Sequence, residues 1–394
     1  MHHLVPFLVV FLIIAAVLRI DFFFSIAYLF FAVYLLSHLW TQRLWVRLTA
    51  ARAFADHAFL GDQVAVDLDV HNAGWLPIPW LEMRESLPVR LTTLASHRRV
   101  ISLGPRERRR IRYTLYCNRR GYYPVGPLTM RSGDLLGVTQ RTHMQVEADH
   151  IVVYPRVVSL QALGLPARSP QEILRAQTPL FEDPSRTMGV RDYQRGDSPR
   201  RIHWTATASS GRLVVKQYQP AIARETLICL DLSQEDYGRR QWETASELAI
   251  VVAASMANHI IVKEGLPVGL TTTGLDPLSR EQVRFCLPPR SERAHLVSVL
   301  EILARVQVTS EAPLQELLRR GSMALPWGAT MAVITGRESA ELFDSLVHLR
   351  KAGFAVALTL VQPAAASVEL ERQAALLNVP IYRVWQERDL EMGS

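Results

Sequence analysis

The chain has 394 residues, 49% hydrophobic and 21% charged, a balance that excludes a disordered tail or a collagen-like repeat and gives length for about two to three domains. Three cysteines, Cys117, Cys229 and Cys286, lie far apart without a CxxC pair, which excludes a disulfide scaffold or a zinc ribbon and fits a reducing compartment. The formal charge of +7 comes from arginine far more than lysine and by itself leaves anionic lipid, nucleic acid and an acidic partner open.

Between residues 4 and 40 the only charged side chains are Arg19 and Asp21. One membrane span needs about 20 residues at roughly 1.5 Å each. The stretch is nearly twice that long and breaks in its middle, which predicts two helices, 4–18 and 22–40, joined by a tight turn. His2 and His3 belong to the interface, and Tyr34, Trp40 and Trp45 supply amphipathic rings near the boundary. Arg43, Arg47 and Arg52 follow at once and place that end in the cytoplasm. A cleaved signal peptide is the rival reading, but a basic leading region and an A-x-A-like cleavage site are lacking. Residues 1–48 are therefore expected to be a transmembrane hairpin in the cell membrane, with the bulk of the chain cytoplasmic. Removing them should leave a soluble α+β protein.

Residues 49–160 alternate at period two. Val64, Val66, Leu68 and Val70 mark one apolar face of a strand that ends at His71-Asn72-Ala73-Gly74. In 108–116, Ile111, Tyr113 and Leu115 face one way and arginines the other; the plainer reading of that row is the solvated face of an edge strand, the sharper one a nucleic-acid stripe. Strands about ten residues apart predict an antiparallel β-sandwich. Residues 161–220, with Pro166, Pro170, Pro179 and Pro184 near their start, form a linker and a polar segment.

From 221 to 394 the period changes. The apolar run at 226–231 reads as a strand buried on both faces, and 242–262 as a long helix. A strand at 267–273, a helix at 291–306, and elements at 329–335, 340–351, 355–361, 369–378 and 380–385 continue the alternation. That predicts a doubly wound α/β domain with a mostly parallel sheet.

Familiar machines are missing. GxxxxGK[ST], GxGxxG after a strand, HExxH and GxSxG do not occur. One candidate is the tip of the first α/β strand, Asp231-Leu232-Ser233-Gln234-Glu235, where such folds bind ligands. A carboxylate and a hydroxyl two residues apart there can face one Mg²⁺ or Mn²⁺ ion. The loop resembles the DxSxS metal site of von Willebrand factor A domains, with Glu235 where that family has its second serine. Ile334-Thr335-Gly336 stands where the family offers a further aspartate, so that carboxylate is missing. Thr271, Thr272 and Thr273 are possible extra hydroxyls. The plainer reading is a helix N-cap by Ser233 and a buried turn by Asp231, with no tight metal site and no cofactor.

The second candidate is the run 189–204. Gly196 and Pro199 make a turn, Arg191, Arg195, Arg200 and Arg201 surround Asp192 and Asp197, and Trp204 offers a ring to a guanidinium. A strand at 212–218 leads on into the α/β sheet. Arg191, Tyr193, Gly196, Asp197, Arg200, Ile202, Trp204 and Ala208 resemble the signature of the DUF58 family, with Ser209 in place of its usual arginine. Residues 120–127 and 134–137 are similar to that family's R-G-x-Y-x-x-G-P and D-x-x-G elements. The resemblance implies a membrane-anchored protein with a β-sandwich and a von Willebrand A-like domain. It also implies a MoxR-type AAA+ ATPase as partner and possibly a transglutaminase-like membrane protein. The arginine–aspartate cluster has three readings: a structural clamp, a docking surface, or a catalytic centre with Asp197 and His203 as acid and base. Two function classes follow, a tethered adaptor without catalysis of its own and an envelope-associated hydrolase or transferase. Nucleic acid is disfavoured, because the basic residues are scattered without an aromatic-studded stripe.

Overall fold

The structure, a computed structural model, describes residues 10, 21–91, 98–134, 140–160, 182–194, 202–220, 225–238, 241–310, 313–363, 372, 374–376 and 379–391. The chain divides into two compact units, Met1–Tyr154 and Pro155–Ser394. Of the helix expected over 4–18, only Val10 is among the described residues, and it is helical.

In the first unit, α1 runs over Asp21–Arg47, 27 residues or about 40 Å. It continues past the expected end at residue 40 and meets β1, Leu48–Ala53, with no residue between. Ser37, Thr41, Leu44 and then Leu48 follow helical spacing and are buried. Leu44 and Leu48 share a core with Leu68, Val70, Ile78, Leu81, Met83 and Leu128, and Trp40 and Trp45 pack against it. These two indoles therefore lie against protein, because the helix runs on into the strand and its last turns are covered. Further back, Tyr28, Leu29, Phe30, Phe31, Leu35 and Leu36 are exposed.

The remaining strands are β2 (His57–Phe59), β3 (Gln63–Asn72), β4 (Ile78–Glu85), β5 (Arg98–Leu103), β6 (Arg108–Tyr116), β7 (Gly121–Val125), β8 (Leu128–Gly133), β9 (Gln140–Val146) and β10 (Asp149–Tyr154). They form the sheets β1-β3-β6, β5-β4-β8-β9 and β2-β10-β7, antiparallel except between β2 and β10. The arginine row lies on β6, an edge strand, and its charges are answered across the ladder. Arg112 Nε donates to Asp67 at 2.7 Å and Arg110 Nε to Asp69 at 3.1 Å. Arg52, read above as a membrane-proximal charge, has a fully buried side chain. The alternation of β1 turns it inward, where Nε donates to Glu85 Oε1 at 2.6 Å and Nη1 to Asp149 Oδ2 at 2.8 Å and to the Val125 carbonyl at 2.9 Å.

In the second unit, β11 (Glu182–Asp192) pairs antiparallel with β12 (Val214–Pro220), and α2 (Trp204–Ser210) lies between them in sequence. The strand expected over 212–218 is thus half of a separate two-stranded sheet. The main sheet holds β13 (Thr226–Leu230), β14 (Val268–Asp276), β15 (Glu281–Arg290), β16 (Thr330–Thr335), β17 (Ala355–Val361) and β18 (Ile381–Val384) in the order β15-β14-β13-β16-β17-β18. All neighbours are parallel except β14 and β15. α3 (Trp242–Asn258) and α4 (Arg293–Arg305) follow β13 and β15, and α5 (Leu314–Met323) and α6 (Ala340–Lys351) flank β16 in sequence. Leu227, Cys229, Met331, Val333, Val356 and Leu358 point to the face covered by α5 and α6.

Among the described residues, two helices are long and apolar enough to cross a membrane, over Phe24–Arg47 and Trp242–Lys263. The second window is 78% buried, so its apolar surface is consumed inside the α/β unit, while the first is 12% buried. β15 and α5 have no counterpart among the elements expected from sequence. The helix expected over 369–378 falls mostly outside the described residues.

Candidate functional site at the strand-order reversal

Chain connections run outward in opposite directions from β13 and β16, which leaves a crevice beyond their carboxyl ends. Asp231 follows β13 directly and Thr335 ends β16. The Asp231 N–H donates to the Ile334 carbonyl at 2.9 Å, so the ladder carries the carboxyl group to the rim of the sheet. There it is 2% exposed. Its Oδ1 accepts from the Ser233 N–H at 2.9 Å and its Oδ2 from the Thr335 hydroxyl at 2.7 Å. The Tyr237 hydroxyl donates to the Asp231 carbonyl at 2.6 Å. Burial first, then the neighbouring Asp236, push Asp231 up to about 8 against those two hydrogen bonds. Asp231 therefore holds its proton well above the ordinary carboxylate range.

Ser233 heads a single 3₁₀ turn over Gln234–Asp236, and its hydroxyl makes no capping bond. The expected N-cap is replaced by the backbone bond to Asp231, because the turn is too short to present a helical N–H to the side chain. Gly336 packs so closely under the Tyr237 ring and the Asp236 carbonyl that a Cβ there would overlap the ring. Within the stretch 334–336, the last position is thus one where this packing admits only glycine. Among the described residues, no three His, Cys, Asp or Glu side chains come together to hold a metal.

Over this floor lies a cleft of about 280 Å³. Ser233, Glu235 and Asp236 line it from the β13 side, Ser310 and Leu314 from the start of α5, and Arg337 and Glu341 from the start of α6. Arg337 Nη1 stands 3.5 Å from Asp236. Thr271, Thr272 and Thr273 do not line the cleft: Thr271 packs toward Gly321 of α5, and the buried Thr272 hydroxyl has no hydrogen-bond partner among the described residues. The lining residues that sequence reasoning missed sit at the starts of α5 and α6, and α5 had not been expected at all.

The described residues of the run 189–204 do not line this cleft. The Tyr193 N–H donates to the Leu213 carbonyl at 2.8 Å, and Ile202 bridges to Val215. His203 Nδ1 accepts from the Ala206 N–H at 3.2 Å and caps α2. His203 Nδ1 is thereby engaged with the start of α2, which leaves Nε2 as the ring's other nitrogen. Trp204 is 69% exposed, and among the described residues the guanidinium seated over a ring is Arg305, on Phe285. Arg191 Nη1 donates to the Asp192 carbonyl at 3.2 Å. Arg195, Gly196, Asp197, Arg200 and Arg201 lie outside the described residues.

This run and the whole of β13–β17 fall inside one recognisable stretch. Residues 189–368 match the family described as "Protein of unknown function DUF58". The upstream elements at 120–127 and 134–137 lie outside that match. The chain is also similar to "Uncharacterized protein YeaD" of Bacillus subtilis (strain 168), 22% identical over 300 residues, covering 74% of this chain and 70% of the relative. Among solved structures, the CARDB domain of the PF1109 protein from Pyrococcus furiosus is 18% identical, with a TM-score of 0.22 over 27% of this chain and 91% of that one. Native alpha-2-macroglobulin from Escherichia coli is 17% identical, with a TM-score of 0.24 over 32% of this chain and 21% of that one. Likeness at those scores carries no weight for fold or function.

Proposed function

We propose that the chain is a membrane-anchored adaptor whose von Willebrand A-like α/β unit binds a cytoplasmic MoxR-type AAA+ ATPase, without catalysis of its own. The observation that carries this reading is the cleft at the reversal of strand order: polar, open, and free of any nucleotide-binding motif. Energy for any work then comes from a partner. The exposed apolar length of α1 supports a bilayer anchor, with the sandwich and α/β units on the cytoplasmic side and a transglutaminase-like membrane protein as a further neighbour. An open polar cleft suits a transient interface, with affinity on the order of micromolar and strong dependence on salt.

The test is co-purification from solubilised membranes at low salt with the ATPase encoded beside this chain, wild type against Asp231→Ala plus Glu235→Ala. Recovery that falls in the double variant supports the reading. Equal recovery removes the strand tip from the interface, and no recovery in any nucleotide state sinks the adaptor. A C-terminal reporter that is active only outside the cytoplasm overturns the orientation.

A further inference from the structure

The first unit presents an exposed indole beside the end of α1. Leu48 opposes Asn72 in the ladder, so the loop after β3 returns to the point where the helix enters the sheet. The Ala73 N–H donates to the Arg47 carbonyl at 2.8 Å, and a Cβ added to Gly74 would lie 3.4 Å from the Arg47 Cβ. The turn after β5 joins them, since the Arg106 N–H donates to the Gly74 carbonyl at 2.9 Å. Buried Asn72 fixes both loops. Its Nδ2 donates to the Leu76 and Gly104 carbonyls, each at 2.8 Å, and its Oδ1 accepts from the Gly74 N–H at 3.0 Å. On this tightly bonded platform Trp75 is 68% exposed, and Val46, next to Arg47, is 81% exposed. Arg43, Arg47 and Arg106 are exposed and have no ion-pair partner among the described residues.

The exposed apolar side chains of α1 from Phe22 to Leu39 span about 26 Å, close to the thickness of a hydrocarbon core. Arg43 and Arg47 follow one and two turns later, where long cationic side chains reach lipid headgroups. Trp40 and Trp45 pack against protein, whereas Trp75 is free to take the interfacial position that tryptophan favours. An acidic protein would also meet three arginines, but only a bilayer continues the apolar surface of α1 without a break. Resting on the membrane-anchor reading above, we propose that the β3–β4 loop seats Trp75 in the headgroup layer of the cytoplasmic leaflet. Arg43, Arg47 and Arg106 then lie on the phosphates of anionic lipid, and the sandwich is docked on the membrane as well as tethered to it.

The test uses full-length protein in phosphatidylserine-rich nanodiscs whose lipid carries bromine near the headgroup end of the acyl chain, wild type against Trp75→Phe. The emission lost on that substitution isolates Trp75, and the bromines should quench it by about half. Quenching should fall away in nanodiscs of phosphatidylcholine alone, and in Arg47→Gln plus Arg106→Gln. The melting temperature of that double variant should stay unchanged, both side chains being exposed. No quenching of Trp75 overturns the proposal. Quenching that is equal in neutral and anionic nanodiscs, or untouched by the glutamines, overturns anionic lipid as what the arginines meet. Phe31→Trp in lipid brominated deep in the acyl chain separates this contact from the anchor. Quenching there with none at Trp75 removes the docked loop and leaves the anchor. Quenching at Trp75 with none there leaves the surface contact and removes the anchor.

Discussion

Thr335 donates its hydroxyl hydrogen to Asp231 Oδ2 at 2.7 Å, joining the ends of the two strands from which the sheet's connections diverge. A threonine hydroxyl thus stabilises a carboxyl group that burial is driving toward its neutral form. The strand tip is held by two donors, the Ser233 N–H and the Thr335 hydroxyl.

This gives stability a pH dependence of known sign. The folded-state value of Asp231 is raised from 3.8 to about 8, so between those values the folded chain holds a proton that the unfolded chain releases. The contribution is fully present below the lower value and is lost as pH rises through the upper one. Wild-type protein should therefore lose a few kcal/mol between pH 4 and about pH 8 and level off above it. Asp231→Asn should flatten that slope, and unfolding curves across the pH range measure both. A wild-type slope unchanged by the substitution would exclude Asp231 as its source.

The Gly336 prediction concerns packing. Gly336→Ala should destabilise by about 1–3 kcal/mol, because the added methyl overlaps the Tyr237 ring. A second substitution, Tyr237→Leu, should recover part of the loss, although it forfeits the hydroxyl bond to the Asp231 carbonyl. Thermal melts of the two single variants and the double variant form the cycle that decides it.

Much of the α/β unit was legible because its core strands are continuous apolar runs: 226–231, 329–335 and 355–361 anticipate β13, β16 and β17 closely. β15 was hidden because its residues alternate between exposed and half-buried and it closes on Pro288 and Pro289, residues that only an edge strand such as this accommodates. α5 escaped because Leu314-Gln315-Glu316-Leu317-Leu318-Arg319-Arg320-Gly321 is short and carries a glycine that packs against Leu227. The strand tip at Asp231 and Ser233 was visible in sequence, but its cleft was not, because most of the lining comes from the starts of α5 and α6. Arg52 misled for a different reason: an arginine after an apolar helix reads as a membrane flank, and only the strand register turns it inward.

Arg52 and Glu85 are both buried, so breaking their pair leaves a charge stranded. Arg52→Met should cost about 3–5 kcal/mol in equilibrium unfolding. The Tyr113 hydroxyl, which also donates to Glu85, cannot neutralise that carboxylate. The exposed pair Arg110–Asp69 is the control, and Arg110→Ala should leave the unfolding midpoint unchanged. Similar losses at both sites would refute the distinction.

The junction of α1 and β1 decides where the anchor can be cut. Removal of residues 1–48 was expected to free a soluble protein, yet Leu44 and Leu48 are core residues 3% and 2% exposed, and Trp40 and Trp45 pack beside them. Truncation of residues 1–48 should therefore expose the core between β3, β4 and β8 and yield aggregated or molten protein. A cut after residue 36 removes Phe30, Phe31, Leu35 and Leu36 while retaining the turns that close the core, and should yield a soluble, cooperatively folding chain. Within that shorter chain, Leu44→Ala should cost about 2–5 kcal/mol, as a buried leucine truncation does. Inserting Gly-Gly-Ser between Arg47 and Leu48 should destabilise it similarly, since the helix can then leave the sheet without unfolding β1. Solubility and denaturant midpoints of the two truncations are the measurement. If the chain beginning at residue 49 is as stable as the one beginning at residue 37, the last turns of α1 are a tether and not part of the core.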